Sequence, residues 1–208
     1  MKSPETVKAL EKLGRVQLSK SFFMRDFMHS EISQIERIPN IPDNPDLAIE
    51  VGKSLCENVL EPIQDTLGRI CVRSAYRSCA VNAKGAENKN QYSCARNEAN
   101  YAGHIWDMRD ADGLMGATAC IVVTSFLPYY EKTGDWQALA WWIHDNIPAY
   151  SNMYFFPKLA AFNISWHEDP VRRIDSYIVP KGCLTKPDMD NHNIDHRALY
   201  KDFIQSIK

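Results

Sequence analysis

Apolar residues recur every four positions across residues 45–67. Leu47, Val51, Leu55, Val59 and Ile63 form a single stripe, the spacing of one helix face packed on a core. Pro45 sits where a first helical turn tolerates proline, and Gly68 closes the helix. Pro62 falls inside the pattern and predicts a kink or break near Glu61. Weaker helical spacing marks residues 4–13, 116–131, 134–147 and 196–207, with Gly134 as punctuation, and a short helical turn with aromatic anchors follows Asp26. Residues 70–74 (Ile-Cys-Val-Arg-Ser), 103–108 and 160–166 read as strands. Residues 39–45 hold three prolines and two asparagines, a loop signature, and residues 82–100 read as a long polar loop. Helices followed by short strands predict an α+β fold, a small antiparallel sheet flanked by helices.

Composition narrows the function classes. The 208 residues are 45% hydrophobic, enough for one core, with no second full domain expected. A net charge of -2 and a pI near 6.3 supply no phosphate-neutralising patch, so nucleic acid is not an expected partner. The longest apolar run, residues 117–127, is too short to span a bilayer. The start, Met-Lys-Ser-Pro-Glu, lacks the apolar segment of a secretory signal, which predicts a cytoplasmic or virion-associated chain. Six cysteines (Cys56, Cys71, Cys79, Cys94, Cys120, Cys183) show no paired spacing and read as reduced thiols, mostly buried.

The chemistry-bearing stretch begins at Ser74-Ala75-Tyr76-Arg77-Ser78 and continues to Asn82. A strand ending in Tyr-Arg-Ser presents a guanidinium at its edge, the group best shaped to grip a carboxylate with two parallel hydrogen bonds. Upstream lie Leu18-Ser19-x-x-Phe22, the long helix and Gly68-Arg69. Downstream come the polar loop and Gly103-x-x-x-Asp107. This order resembles the D-Ala-D-Ala carboxypeptidase family, zinc peptidases with the hedgehog/DD-peptidase fold whose bacterial and bacteriophage members cut peptidoglycan peptides. The resemblance covers residues 18–178 in outline and is specific near residues 68–82 and 100–107.

The resemblance implies a zinc site, and this chain departs from it. In the family's Ser-x-His-x-x-Gly-x-Ala-x-Asp motif, Asp107 occupies the Asp ligand position and Asn100 the ligand His position. Asn163, in Phe162-Asn163-Ile164-Ser165-Trp166, falls where the family carries its third ligand, a His. The family's general base is a Glu upstream of that His, and residues 149–162 contain neither Asp nor Glu. A catalytic zinc takes three protein ligands and an activated water, so this frame predicts an inactive cleft with Tyr76, Arg77, Ser78, Asn100 and Asn163 contacting the ligand. The alternative frame is a zinc site of His104, Asp107 and His167, with Glu168 as general base and Arg77 gripping the substrate carboxylate. It requires a bulge at Gly103, because residues 104 and 107 of a regular strand face opposite ways.

The expected organisation is a helical extension over residues 1–17, a peptidase-like domain over 18–180, and a C-terminal loop and helix over 181–208. Expected partners are a peptidoglycan peptide or other virion proteins, with homo-oligomerisation left open. Residues 136–142, rich in aromatics, are a candidate interface, although core packing is the simpler role for Trp141, Trp142 and His144. His192-x-x-x-His196 has helix-face ligand spacing, but its Asp and Asn neighbours favour a solvated loop. Cys79 reads as a structural thiol.

Overall fold

A computed structural model describes residues 1–87 and 92–207. The chain forms two compact units, one of Met1–Glu57 with Ser74–Ala119 and the other of Asn58–Arg73 with Cys120–Lys208.

The first unit begins with α1 (Val7–Gly14), capped by the Thr6 side chain on Ala9 N–H, and α2 (Glu31–Glu36), capped by Ser30 on Ser33 N–H. Side-chain oxygens satisfy amides that a helix start leaves bare. Asn44 caps α3 (Pro45–Leu55) in the same way, with Pro45 in the first turn. Gly52 lets α3 approach its neighbours closely. A Cβ there would stand 3.0 Å from Leu18 Cδ1 and 3.1 Å from Trp106 Cζ3. Trp106 is the centre of this core, with Phe27 at 5.3 Å and Tyr76 at 6.2 Å between ring centroids. These separations suit tilted and edge-on aromatic pairs.

The predicted break in the long helix is present. Residues Cys56–Leu60 form a π-helical turn, and α4 (Glu61–Leu67) follows. Pro62 has no N–H for the carbonyl four residues back, so the helix widens by one residue just before it.

Three expectations need correction. Residues 82–100 are not all loop, because α5 (Cys79–Glu87) occupies the first part; residues 88–91 lie outside the described residues. Residues 103–108 are not a strand. Ala102 takes a left-handed φ of 52°, and Gly103 and Ile105 N–H both donate to Asn100 O, so the chain coils into successive turns. Residues 116–123 form a strand, β2 (Gly116–Val123), rather than a helix.

Six strands make one sheet, in the order β1-β2-β4-β3-β5-β6: β1 (Ile70–Ser74), β2, β3 (Tyr150–Phe155), β4 (Phe162–His167), β5 (Arg173–Ser176) and β6 (Gly182–Thr185). The fold is mixed α/β with helices flanking this sheet. The sheet is not purely antiparallel, because β3 runs parallel to β5 while pairing antiparallel with β4. In the second unit, α6 (Leu127–Thr133), α7 (Gln137–Asn146) and α8 (Arg197–Ser206) complete the layer. Phe155 stacks on Phe162 at 4.6 Å, and Phe126 meets Phe203 edge-on at 4.8 Å. Trp136, Trp141 and Trp142 are buried within the unit, so residues 136–142 serve the core rather than an exposed interface. Among the described residues, no helix is long and apolar enough to cross a membrane.

Candidate functional site

In the first unit, Asn40 holds the Tyr-Arg-Ser segment in place. Its side-chain amide donates to Tyr76 O and Met28 O, both at 2.9 Å, and its Oδ1 accepts Ser78 N–H at 2.7 Å. The buried Ser78 hydroxyl accepts Val81 N–H, as a helix cap does, and donates to Pro39 O. Ser78 therefore starts α5 and turns Arg77 in a fixed direction.

Arg77 is half-buried. Its main-chain N–H donates to His104 O at 2.8 Å, and its guanidinium Nη1 lies 2.6 Å from Cys94 Sγ. Burial pushes its pKa down, the Cys94 contact opposes that, and no carboxylate partner for it occurs among the described residues. Guanidinium remains charged in proteins, so this is a desolvated cation with one edge on a thiol and no carboxylate counter-ion among the described residues.

His104 stands beside it. His104 Nδ1 donates to Ala75 O at 2.8 Å, because a carbonyl can only accept. Burial first, and then the Arg77 charge, push His104 down to about 3. At neutral pH the ring is uncharged, with Nδ1 protonated and Nε2 carrying a lone pair.

Asp107 is buried at 3% exposure. Its Oδ2 accepts Asp43 N–H at 2.7 Å and Asn44 N–H at 3.3 Å, which clamps the loop before α3. Burial raises its pKa and those amide bonds oppose the rise. Oδ1 has no hydrogen-bond partner, and neither has the buried Tyr76 hydroxyl. The two groups act on one another: burial and then Asp107 raise the Tyr76 pKa, and Tyr76 lowers that of Asp107. Burial, Asp107 and Asp43 also raise the Cys79 pKa, which disfavours its thiolate. Asn100 does not face outward as a ligand would. Its side-chain amide donates to Ala95 O and Arg96 O, and it clasps the preceding loop.

In the second unit, Asn163 lies on β4, paired with Tyr154 of β3. His167 ends that strand, its Nδ1 accepting Asp169 N–H at 3.1 Å, and Glu168 beside it is exposed. The structure thus brings Tyr76, Arg77, Ser78, Asn100, His104 and Asp107 together in the first unit, and Asn163, His167 and Glu168 in the second. Among the described residues, no three His, Cys, Asp or Glu side chains gather as a metal ion requires. Sequence reasoning missed Asn40 and Cys94. Asn40 lies inside the proline-rich loop, where asparagine is ordinarily a turn residue. Cys94 carried no paired spacing that would have singled it out.

Comparison of the chain with family models, with curated proteins and with solved structures returned no match.

Proposed function

We propose that this chain is a non-catalytic derivative of the D-Ala-D-Ala carboxypeptidase fold that binds the carboxylate end of a peptidoglycan peptide. It would act as a cell-wall-binding or structural part of a bacteriophage particle. The observation that carries this is Arg77, a half-buried guanidinium on a rigid turn without a counter-ion among the described residues. A desolvated charge without a partner is costly, and a ligand carboxylate would complete it with bidentate hydrogen bonds. Neutral His104 alongside can accept a hydrogen bond through Nε2 from the ligand's amide. The absence of catalysis is supported by the uses already made of the expected zinc donors. Asn100 clasps a loop and Asp107 Oδ2 holds two backbone amides. A catalytic zinc takes three protein ligands, and these two side chains are already engaged in holding backbone.

One arrangement, which lies wholly within the first unit, favours a second reading, an active zinc D,D-peptidase. His104 is fixed by a backbone carbonyl at Nδ1, which leaves Nε2 available; metal-binding histidines are commonly oriented in this way. Elemental analysis of protein purified without chelator separates the two, combined with an assay of D-Ala release from a pentapeptide. The binding proposal expects no stoichiometric zinc and no D-Ala. Stoichiometric zinc that is lost in His104→Ala would replace it with the peptidase.

A further inference from the structure

The second unit contains a buried histidine cluster. His144, His192 and His196 are 4%, 7% and 1% exposed, and His144 lies 4.8 Å from His192 and 5.5 Å from His196 between ring centroids. The His192-x-x-x-His196 spacing therefore belongs to the interior and not to a solvated loop. These imidazoles fasten residues 186–196 onto α7. His144 Nε2 donates to His192 O at 2.8 Å and, being protonated there, accepts the Tyr150 hydroxyl through Nδ1 at 2.5 Å. His192 Nδ1 meets Thr185 Oγ1 at 3.1 Å. His196 spans Asn191 O at 2.8 Å and Asp145 Oδ1 at 2.7 Å while stacking on Trp141 at 3.9 Å. Among the described residues no three His, Cys, Asp or Glu side chains are grouped to hold a metal ion, and these imidazoles hold the chain instead.

We infer that this cluster is an acid-sensitive clasp whose protonation frees residues 186–196 while the sheet and α8 remain folded. The charge inventory supports release. Arg172 donates to His144 O at 2.7 Å and lies 4.9 Å over the Tyr150 ring. Asp145 of α7 is committed to His196, and Asp195 at the start of α8 is committed to Arg197. Asp188 is the acid acting on His192, and Tyr200 of α8 faces Asp145. A second proton on His144 or His192 therefore adds positive charge beside Arg172 and His196 with little to balance it. Burial already pushes His144 down to about 4, and burial, Arg172 and His196 lower His192. Residues 186–196 contain no helix or strand to keep them in place. By contrast, α8 is anchored by Phe203 on Phe126 and Tyr129.

Hydrogen exchange on the full chain tests the clasp, with protection factors corrected for intrinsic rates at pH 7.5 and pH 5. A ring that titrates at about 4 when fastened and about 6.5 when free gives a roughly 30-fold loss of protection over that range from His144 alone. The expected result is that loss across residues 186–196, with Met153, Ile164 and Ile174 unchanged, and a loss several-fold smaller in His144→Gln. The inference is overturned if protection in 186–196 holds at pH 5, if it falls in step with the sheet, or if His144→Gln behaves as the wild type does. Should His144→Gln fail to fold, imidazole NMR titration of the wild type decides. A His144 ring titrating near 6.5 in the folded chain overturns the clasp, and one titrating well below it, in step with loss of protection in 186–196, supports it.

Discussion

Replacing Gly85 with alanine sets two opposite effects against each other at the edge of the proposed site. Gly85 lies in α5, where alanine is worth about 1 kcal/mol over glycine through backbone entropy. The added Cβ, however, would stand 2.6 Å from Cys94 Sγ, 2.9 Å from Ile32 Cδ1 and 3.2 Å from Cys94 Cβ. The Ile32 methyl can swing aside. Cys94 cannot yield freely, because its sulfur is already 2.6 Å from Arg77 Nη1. Overpacking of this kind costs about 1–3 kcal/mol, so Gly85→Ala should be destabilised by ~1 kcal/mol net. Removing the sulfur should reverse the sign. In a Cys94→Ala background the tightest contact is gone, and Gly85→Ala should become neutral or stabilising, a coupling of at least about 1 kcal/mol. Urea unfolding of the four proteins at one pH measures this. A Gly85→Ala protein about 1 kcal/mol more stable than wild type, or additivity of the two changes, would refute the claim that Cys94 is pinned between α5 and Arg77.

Other perturbations follow from the same geometry. Asn40→Ala strips two buried backbone groups and one part-buried one of their partner and should cost about 2–4 kcal/mol by chemical denaturation. A loss under about 1 kcal/mol would mean the Tyr-Arg-Ser turn is held by something else. Trp141→Ala should lower stability by about 3–5 kcal/mol without altering the elution volume on size exclusion, since Trp141 packs on His196 inside its own unit. Acid should destabilise the fold through His104. The folded ring is pushed down to about 3, so between about 6.5 and 3 the unfolded chain holds the extra proton. The stability it contributes is complete above about 6.5 and is lost as pH falls through that window, reaching roughly 2 kcal/mol at pH 5. The pH dependence of the urea midpoint should flatten in His104→Gln; an unchanged slope would show that His104 is not held neutral.

Much of the helical frame was legible because its signals are local. The stripe from Leu47 to Ile63 and the proline at 62 located α3, α4 and the irregular turn between them. β2 was not legible. Gly116–Val123 is buried on both faces, so it shows no alternation, and a continuous apolar run of that length does not distinguish strand from helix by period. Residues 103–108 misled in the opposite sense. They read as a strand, but Ala102 at positive φ and the carbonyl of Asn100 coil them into turns. That coil removes the objection that residues 104 and 107 of a strand must point apart. Arg77 and Asp107 stood out from residue type and order alone. Their true partners, Cys94 and the amides of Asp43 and Asn44, did not, because contacts across 17, 64 and 63 residues leave no local pattern. The histidines of the C-terminal segment looked solvated because their neighbours are Asp and Asn. They are buried because α7 supplies Trp141, His144 and Asp145 opposite them.

The central claim is a carboxylate-gripping Arg77 in a site that does no chemistry. Calorimetric titration of an acylated D-Ala-D-Ala peptide and of its C-terminal amide, against wild type and Arg77→Met, tests it most directly. The account predicts that the free acid binds, that the amide and the Arg77→Met protein each bind about 10- to 100-fold more weakly, and that the peptide is recovered uncut. Equal binding of acid and amide, or release of D-Ala during the titration, would contradict it.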